Sequence, residues 1–268
     1  MRIALGQMDV RAGEPQQNWL QAERLARAAA AAGAQVLLLP ELWLSGFDLE
    51  HAADHARCWE EGDRARCADL ARAAGLYLCG SVVAEDSHGR PANVAVLFSP
   101  QGELAASYAK VHLFPPMGEP RFLAPGAAAP SFALPWGPTA LAICYDLRFP
   151  ELFRHYAAAE VVLTLLPAQW PLPRVEHWRV LLQARAIENQ CVVAACNRAG
   201  RDGDGTVFGG HSAVIGPRGQ VLVEGGETPD LLLADVDLEE VWQVRRELPV
   251  LAGRRFSVVQ GVEQRADI

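Results

Sequence analysis

The chain has 268 residues, half of them apolar and 21% charged, with a formal net charge of -8 at pH 7. That much apolar material fills one large core or two small ones. The acidic balance, with no basic run, speaks against nucleic acid or an anionic membrane surface as partner, since both need positive charge to offset phosphate.

The chain enters a strand pattern at once, Arg2-Ile3-Ala4-Leu5-Gly6-Gln7, where a signal peptide would place a charged and then a long apolar region. Glu14-Pro15 opens a helix through Leu20 and Leu25 to Ala32, and Gly33 stops it. Val36 to Leu39 is an apolar strand that ends at Pro40-Glu41-Leu42-Trp43, so a carboxylate stands just past a buried strand. A polar segment with His51, His55 and Cys58 reads as loose, followed by a helix near Cys67 to Ala74. Tyr77 to Ala84 and Asn93 to Phe98 read as strands parted by the turn Ser87-His88-Gly89, and a third strand ends at Tyr108-Ala109-Lys110. From Val111 to Trp136 prolines and glycines predict a long irregular loop. Thr139 to Ile143 is a short strand that delivers Cys144 to a corner before a helix opened by Pro150-Glu151. Val161 to Leu166 and Cys191 to Asn197 are strands flanking a helix from Arg174 to Asn189. Strands near Ser212 to Ile215 and Leu231 to Val236, a helix from Leu238 to Arg246 and an arm from about residue 247 to Ile268 complete the chain.

Two pairs of segments echo each other. Val36-Leu37-Leu38-Leu39-Pro40-Glu41-Leu42-Trp43 matches Val162-Leu163-Thr164-Leu165-Leu166-Pro167-Ala168-Gln169-Trp170, and Val96 to Glu103 matches Val214 to Gln220. One plan given twice predicts two similar α/β layers packed sheet to sheet with helices outside. Chance recurrence of strand-Pro and Pro-x-Gly words explains the same text. Under the first reading, Glu41 and Trp170 share a rim with Cys144.

Glu41, Lys110 and Cys144 stand at strand ends. Together they supply a base, a cation for a developing oxyanion and a nucleophile, the three needs of amide hydrolysis. A lysine favours the thiolate, and a carboxylate serves as base for a thiol when burial raises its affinity for protons. Each also fits a plainer role: a helix-start carboxylate, a surface charge and a small core residue.

The segments Pro-Glu-Leu around Glu41, Tyr-x-Lys-x-His-Leu-Phe around Lys110 and Cys-Tyr-Asp-Leu-Arg-Phe-Pro-Glu from Cys144 resemble the three signature segments of the carbon–nitrogen hydrolase, or nitrilase, superfamily. Ala168-Gln169-Trp170-Pro171, Ala184 to Gln190 and Asn197-Arg198 are most similar to its ω-amidase branch. The resemblance spans nearly the whole chain. It implies a single carbon–nitrogen hydrolase domain over 1–268 with a C-terminal arm, folded as a four-layer αββα sandwich of α/β class with an internal pseudo-two-fold. It implies a Glu-Lys-Cys site joined by a second glutamate, for which Glu119 in Gly118-Glu119-Pro120-Arg121-Phe122 is the match. The expected reaction is cysteine-dependent hydrolysis of the terminal amide of a small carboxylate-bearing substrate such as 2-oxoglutaramate. Deaminated glutathione, N-carbamoyl amides and nitriles are the rival substrates, and a non-catalytic binding module is the remote one. The Tyr145 backbone N–H joins Lys110 in holding the oxyanion. Arg148, one turn past the nucleophile, is the candidate carboxylate clamp, or a helix-start arginine paired to Asp146 or Glu151; Arg174 is a second candidate. Trp170 and Phe114 wall the pocket or sit in the core. Superfamily members usually pair, so a homodimer or larger is expected, with the segment Leu248 to Val259 contributing.

No cofactor or metal is expected: neither a phosphate-cradling glycine loop nor metal-ligand histidine or cysteine spacing occurs. Gly210-His211-Ser212-Ala213-Val214 lacks the last glycine of a serine-hydrolase elbow, and Asp202-Gly203-Asp204-Gly205-Thr206 reads as a turn. Six scattered cysteines without CxxC pairing fit a reducing, cytoplasmic compartment.

Overall fold

The computed structural model of the chain describes residues 1–256. Its first half runs β1 (Arg2–Gln7), α1 (Pro15–Ala31), β2 (Val36–Leu38), α2 (Ala52–Cys58), α3 (Arg64–Ala74), β3 (Tyr77–Glu85), β4 (Pro91–Phe98) and β5 (Leu104–Ala109). A short helix α4 (Glu119–Phe122) leads into β6 (Ser131–Leu134), β7 (Gly137–Leu141), α5 (Pro150–Ala158), β8 (Leu163–Ala168), α6 (Val175–Asn189) and β9 (Val192–Asn197). Then come β10 (Ala199–Arg201), β11 (Val207–Gly209), β12 (Ala213–Ile215), β13 (Val221–Glu224), β14 (Asp230–Asp235) and α7 (Glu239–Glu247).

Two six-stranded mixed sheets form, in the orders β14-β1-β2-β3-β4-β5 and β6-β7-β8-β9-β12-β13. In each, an antiparallel edge strand flanks three parallel strands, and an antiparallel pair closes the other side. The echo in the sequence is therefore structural: β2 corresponds to β8, and β4 with its turn to β12 with its turn. The central parallel strands are buried on both faces, which is why Val36-Leu37-Leu38 and Leu163-Thr164-Leu165-Leu166, with a single threonine, read as near-continuous apolar runs and not as alternation.

Alternation still sorts side chains by layer. Ile3, Leu5, Val36 and Leu38 join Leu141, Leu163, Leu165 and Val192 in the core between the sheets. Ala4, Leu37 and Leu39 turn outward onto Trp19, Ala22, Ala26 and Ala29 of α1 and Ala71 of α3. The buried residues of α1 recur at helical spacing, so its alanines let the helix lie close to the sheet. Gly33 ends that helix at φ +73°, a left-handed position that glycine adopts without strain. On the outer side of the second sheet, Phe153 and Tyr156 of α5 and Trp178, Leu182 and Ala186 of α6 cover its strands. The result is an α/β sandwich of four layers, as expected.

Several local expectations need correction. The segment around His51, His55 and Cys58 is helical, running from a 3-10 turn at Leu49–His51 through α2 and a π turn at Trp59–Asp63. Its polar residues face solvent, while Leu49, Ala52 and Ala56 pack beneath, a stripe too sparse to stand out in the sequence. The stretch 111–136 is not wholly irregular: it holds α4 and the edge strand β6, whose half-exposed residues carry a weak pattern. The β10–β11 hairpin and β13 also passed unmarked, being three or four residues long. Of the segment 248–259 expected at a subunit interface, Leu248 and Val250 are exposed and 257–259 lie outside the described residues.

Candidate active site

Four elements converge at one end of the sandwich. β2 runs into Glu41, β5 into Lys110, β7 into Cys144, and α4 begins at Glu119. All four side chains are buried: Glu41, Glu119 and Lys110 are at most 1% exposed and Cys144 7%. Lys110 Nζ lies 2.7 Å from Glu41 Oε1 and 2.8 Å from both carboxylate oxygens of Glu119. The sequence-level set Glu41, Lys110, Glu119 and Cys144 is thus one cluster and not three separate surface features.

The two carboxylates receive only donors. Asn93 Nδ2 gives one N–H to Glu41 Oε1 at 2.8 Å and one to Glu119 Oε1 at 3.3 Å. The Gln169 N–H donates to Glu41 Oε2 at 3.0 Å, and the Phe114 N–H to Glu119 Oε2 at 2.6 Å. A donor-only environment suits both groups as carboxylates, since a protonated acid would need an acceptor of its own. Burial pulls Lys110 toward its neutral form, but the charges of Glu119 and Glu41 outweigh it and raise its affinity for protons well above the ordinary value. Burial lifts the Glu119 carboxyl above its ordinary value, with Lys110 pulling it back.

Cys144 sits at φ +43°, in the left-handed region that costs a non-glycine residue strain. The strained corner is anchored by the fully buried Asp146. Asp146 accepts from the Ile143 N–H at 2.9 Å, the Tyr108 hydroxyl at 2.8 Å and the His112 N–H at 3.1 Å, and pairs with His112 Nδ1 at 2.7 Å. Burial raises the thiol well above its ordinary value, and the nearby Glu41 adds to this while Lys110 and the Gln169 N–H oppose it. At rest, then, Cys144 is a neutral thiol hydrogen-bonded toward Glu41. Tyr145 opens the single turn Cys144–Arg148, where N–H groups have no partner within the turn.

A pocket with about 310 Å³ of empty space, open to solvent on one side, meets this cluster at Lys110 and Cys144. Phe47, Phe114, Trp170 and Pro171 form its apolar wall; Tyr145, Gln169, Arg148 and Arg174 add polar groups. All of the substrate-binding candidates therefore line one cavity. The Arg148 guanidinium lies 4.5 Å from the Trp170 ring centroid, and among the described residues neither Arg148 nor Arg174 is paired with a carboxylate. The expected alternative pairing of Arg148 with Asp146 or Glu151 does not form: Asp146 is taken by His112 and Tyr108. Asn93, Phe47, Asp146 and the N–H of Gln169 were not singled out from the sequence. Gln169 and Asp146 lay inside quoted segments, but nothing local marks Asn93 in the middle of β4. No cluster of three or more histidine, cysteine or acidic side chains that could hold a metal ion occurs among the described residues.

Comparison with known proteins agrees with this geometry. The chain is 38% identical over 250 residues to the 2-oxoglutaramate amidase of Bacillus subtilis (strain 168), covering 92% of this chain and 95% of that one. It is 32% identical over 262 residues to omega-amidase NIT2 of Mus musculus, covering 95% of each. Among solved structures, a variant of the amidase from Nesterenkonia sp. AN1 superposes with a TM-score of 0.83 at 34% identity, covering 93% of this chain and 98% of that one. In it, acrylamide has added to the active-site cysteine. The carbon-nitrogen hydrolase family model matches residues 2–246, and the chain belongs to that family.

Proposed function

We propose that this cysteine-dependent amidase removes the terminal amide of a small substrate whose far end is a carboxylate, as in 2-oxoglutaramate, giving the dicarboxylate and ammonia. The observation that carries the reading is the pair of arginines. Arg148 and Arg174 line the same pocket as Cys144 without acidic partners among the described residues, so one cavity offers a buried thiol together with unneutralised positive charge. Guanidinium groups match a carboxylate in shape and charge. The names borne by the relatives from Bacillus subtilis and Mus musculus support the same substrate class.

The chemistry follows from the cluster. Cys144 sulfur attacks the amide carbon as its proton passes to Glu41, and the carbonyl oxygen becomes an oxyanion facing Lys110 and the Tyr145 N–H. Lys110 has three N–H donors, all directed to carboxylates at rest. Protonation of Glu41 weakens its hold on Lys110 at the moment the oxyanion needs a donor. The intermediate collapses, the C–N bond breaks, and the leaving nitrogen takes the proton from Glu41 to depart as ammonia. Water then attacks the thioester and gives a proton to Glu41. Collapse of the second intermediate expels sulfur, which takes that proton back. Glu119 holds Lys110 by both oxygens and leaves Glu41 free to exchange protons.

Ammonia release from 2-oxoglutaramate, succinamate, deaminated glutathione, an N-carbamoyl amino acid and a simple nitrile tests the reading, with Cys144→Ala alongside. Fastest turnover of 2-oxoglutaramate or succinamate, lost in the variant, is the expected result. Preference for another compound moves the substrate, and activity retained by Cys144→Ala refutes the mechanism.

A further inference from the structure

Arg198 is a fully buried arginine outside the pocket wall, and the mechanism above does not use it. Burial lowers its affinity for protons, and Asp202 only partly restores it. Its two contacts with Asp202, at 3.1 and 3.3 Å, are long for a buried ion pair, and its Nε has no hydrogen-bond partner among the described residues. Such a group costs stability unless its other contacts matter. One is the face of the Phe208 ring, whose centroid lies 4.1 Å from the guanidinium; the other leads to the site, where Arg198 Nη1 donates to Gln169 Oε1 at 2.8 Å.

The consequence lies in the orientation of an amide. A guanidinium has donors and no acceptor. It therefore fixes the oxygen of the Gln169 side chain toward itself and turns the NH2 the other way, where it donates to the Glu41 carbonyl at 2.7 Å. With the side chain held at both ends, the Gln169 N–H sits 3.0 Å from Glu41 Oε2 and also reaches the Cys144 sulfur. The backbone is tied in parallel: the Ala168 carbonyl accepts from the Arg198 N–H at 2.9 Å and from the Glu41 N–H at 3.4 Å. A chain of contacts thus runs from Asp202, at the turn joining β10 and β11, through Arg198 and Gln169 to Glu41 and Cys144. The two strands that carry the base and Gln169, β2 and β8, belong to opposite sheets.

We propose that Arg198 is a positioning residue for proton transfer, setting the Gln169 amide that holds the Glu41 carboxylate against the Cys144 thiol. The inference rests on the reading of Glu41 as base, so its test must separate the two.

The experiment compares Arg198→Met, Arg198→Lys, Gln169→Ala, the Gln169→Ala/Arg198→Met double variant and Glu41→Gln. Two readouts are taken per folded molecule. One is kcat and KM with 2-oxoglutaramate. The other is the rate at which iodoacetamide alkylates Cys144, followed by mass of the Cys144 peptide so that the exposed Cys58 does not interfere. In that alkylation sulfur displaces iodide and the thiol proton goes to Glu41, so it reports on the thiol–base pair whatever the natural amide is. Arg198→Met should lower kcat about 10- to 100-fold, the scale of a misplaced catalytic group. KM should change less than about twofold, because Arg198 does not touch substrate. Alkylation should slow in parallel, Arg198→Lys should lose less by keeping a donor, and the double variant should be no worse than its poorer single. If Arg198→Met does not fold, Arg198→Lys and Gln169→Ala carry the same comparison. Parental kcat and alkylation rates in the folded Arg198 variants, or single effects that multiply in the double, overturn the inference. A fully active Glu41→Gln overturns the underlying reading instead.

Discussion

Arg148→Met is the most direct probe of what the pocket binds. The substitution keeps an unbranched apolar stem against Trp170 and removes the charge, so the wall survives and the clamp does not. A hydrogen bond to a charged group contributes about 1.5–3 kcal/mol. Arg148 is half-buried beside the open mouth, so water screens part of that and the lower half of the range applies. At ~1.4 kcal/mol per decade, kcat/KM for 2-oxoglutaramate should fall about 10- to 40-fold, mainly through KM. A neutral amide of similar length, butyramide, makes no use of the cation and should change by less than about threefold. Ammonia release gives both numbers in one assay. An equal loss for charged and neutral amides would show that Arg148 shapes the wall and does not read a carboxylate, and the argument from unpaired arginines would fail. Arg174, more exposed than Arg148, should show the same selectivity at smaller size and with stronger salt dependence.

Two further outcomes are expected. Asp146→Asn keeps the shape but puts an NH2 where an acceptor served, leaving a buried donor around the Cys144 corner unpaired. It should cost about 1–3 kcal/mol by urea unfolding and lower kcat, and unchanged stability would show that Asp146 does not hold the strained corner. Asp48 bridges His51 and His55 at 2.8 Å each; burial opposes its ionisation, but the two histidine hydrogen bonds prevail and hold its carboxyl below the ordinary value. Its contribution to stability is therefore present above the unfolded value and lost as pH falls through the folded one. His51 is raised by the hydrogen bond it donates to Asp48, so its share is full below the ordinary histidine value and fades as pH rises through the folded one. Asp48→Asn should flatten the dependence of Tm on pH across both limbs, and an identical curve would exclude the bridge as its source.

How much the sequence reveals depends on whether a residue's signal is local. The buried strands, the duplicated plan and the cysteine at a strand end are local, and all three stand in the structure. The cluster of Glu41, Lys110 and Cys144 was legible because each follows directly from a strand whose apolar run is visible. Glu119 rested on the resemblance alone; in the sequence it is a loop carboxylate, and only the fold carries it to Lys110, nine positions away, at no exposure at all. Asn93 shows the limit. It serves both glutamates through its two N–H groups from the middle of a strand, where period-two patterning marks it only as one buried position among several. The short elements around β10, β11 and β13 escaped because three or four residues give no period to read.

The donor-only surroundings of Glu41 and Glu119 bear on the cost of turnover. Two carboxylates, one ammonium and one thiol sum to a single negative charge. In the proposed mechanism, when Cys144 yields its proton to Glu41, that charge leaves the carboxylate and reappears on sulfur and then on the carbonyl oxygen, a few ångströms away and still beside Lys110. Acylation and deacylation alike move it along this short path and never create a new ion in the low-dielectric interior, where a new ion is expensive. The buried cluster can therefore run both halves of the cycle without a counter-ion entering or leaving it: water arrives neutral and ammonia departs neutral, while substrate and product pass through the open side of the pocket.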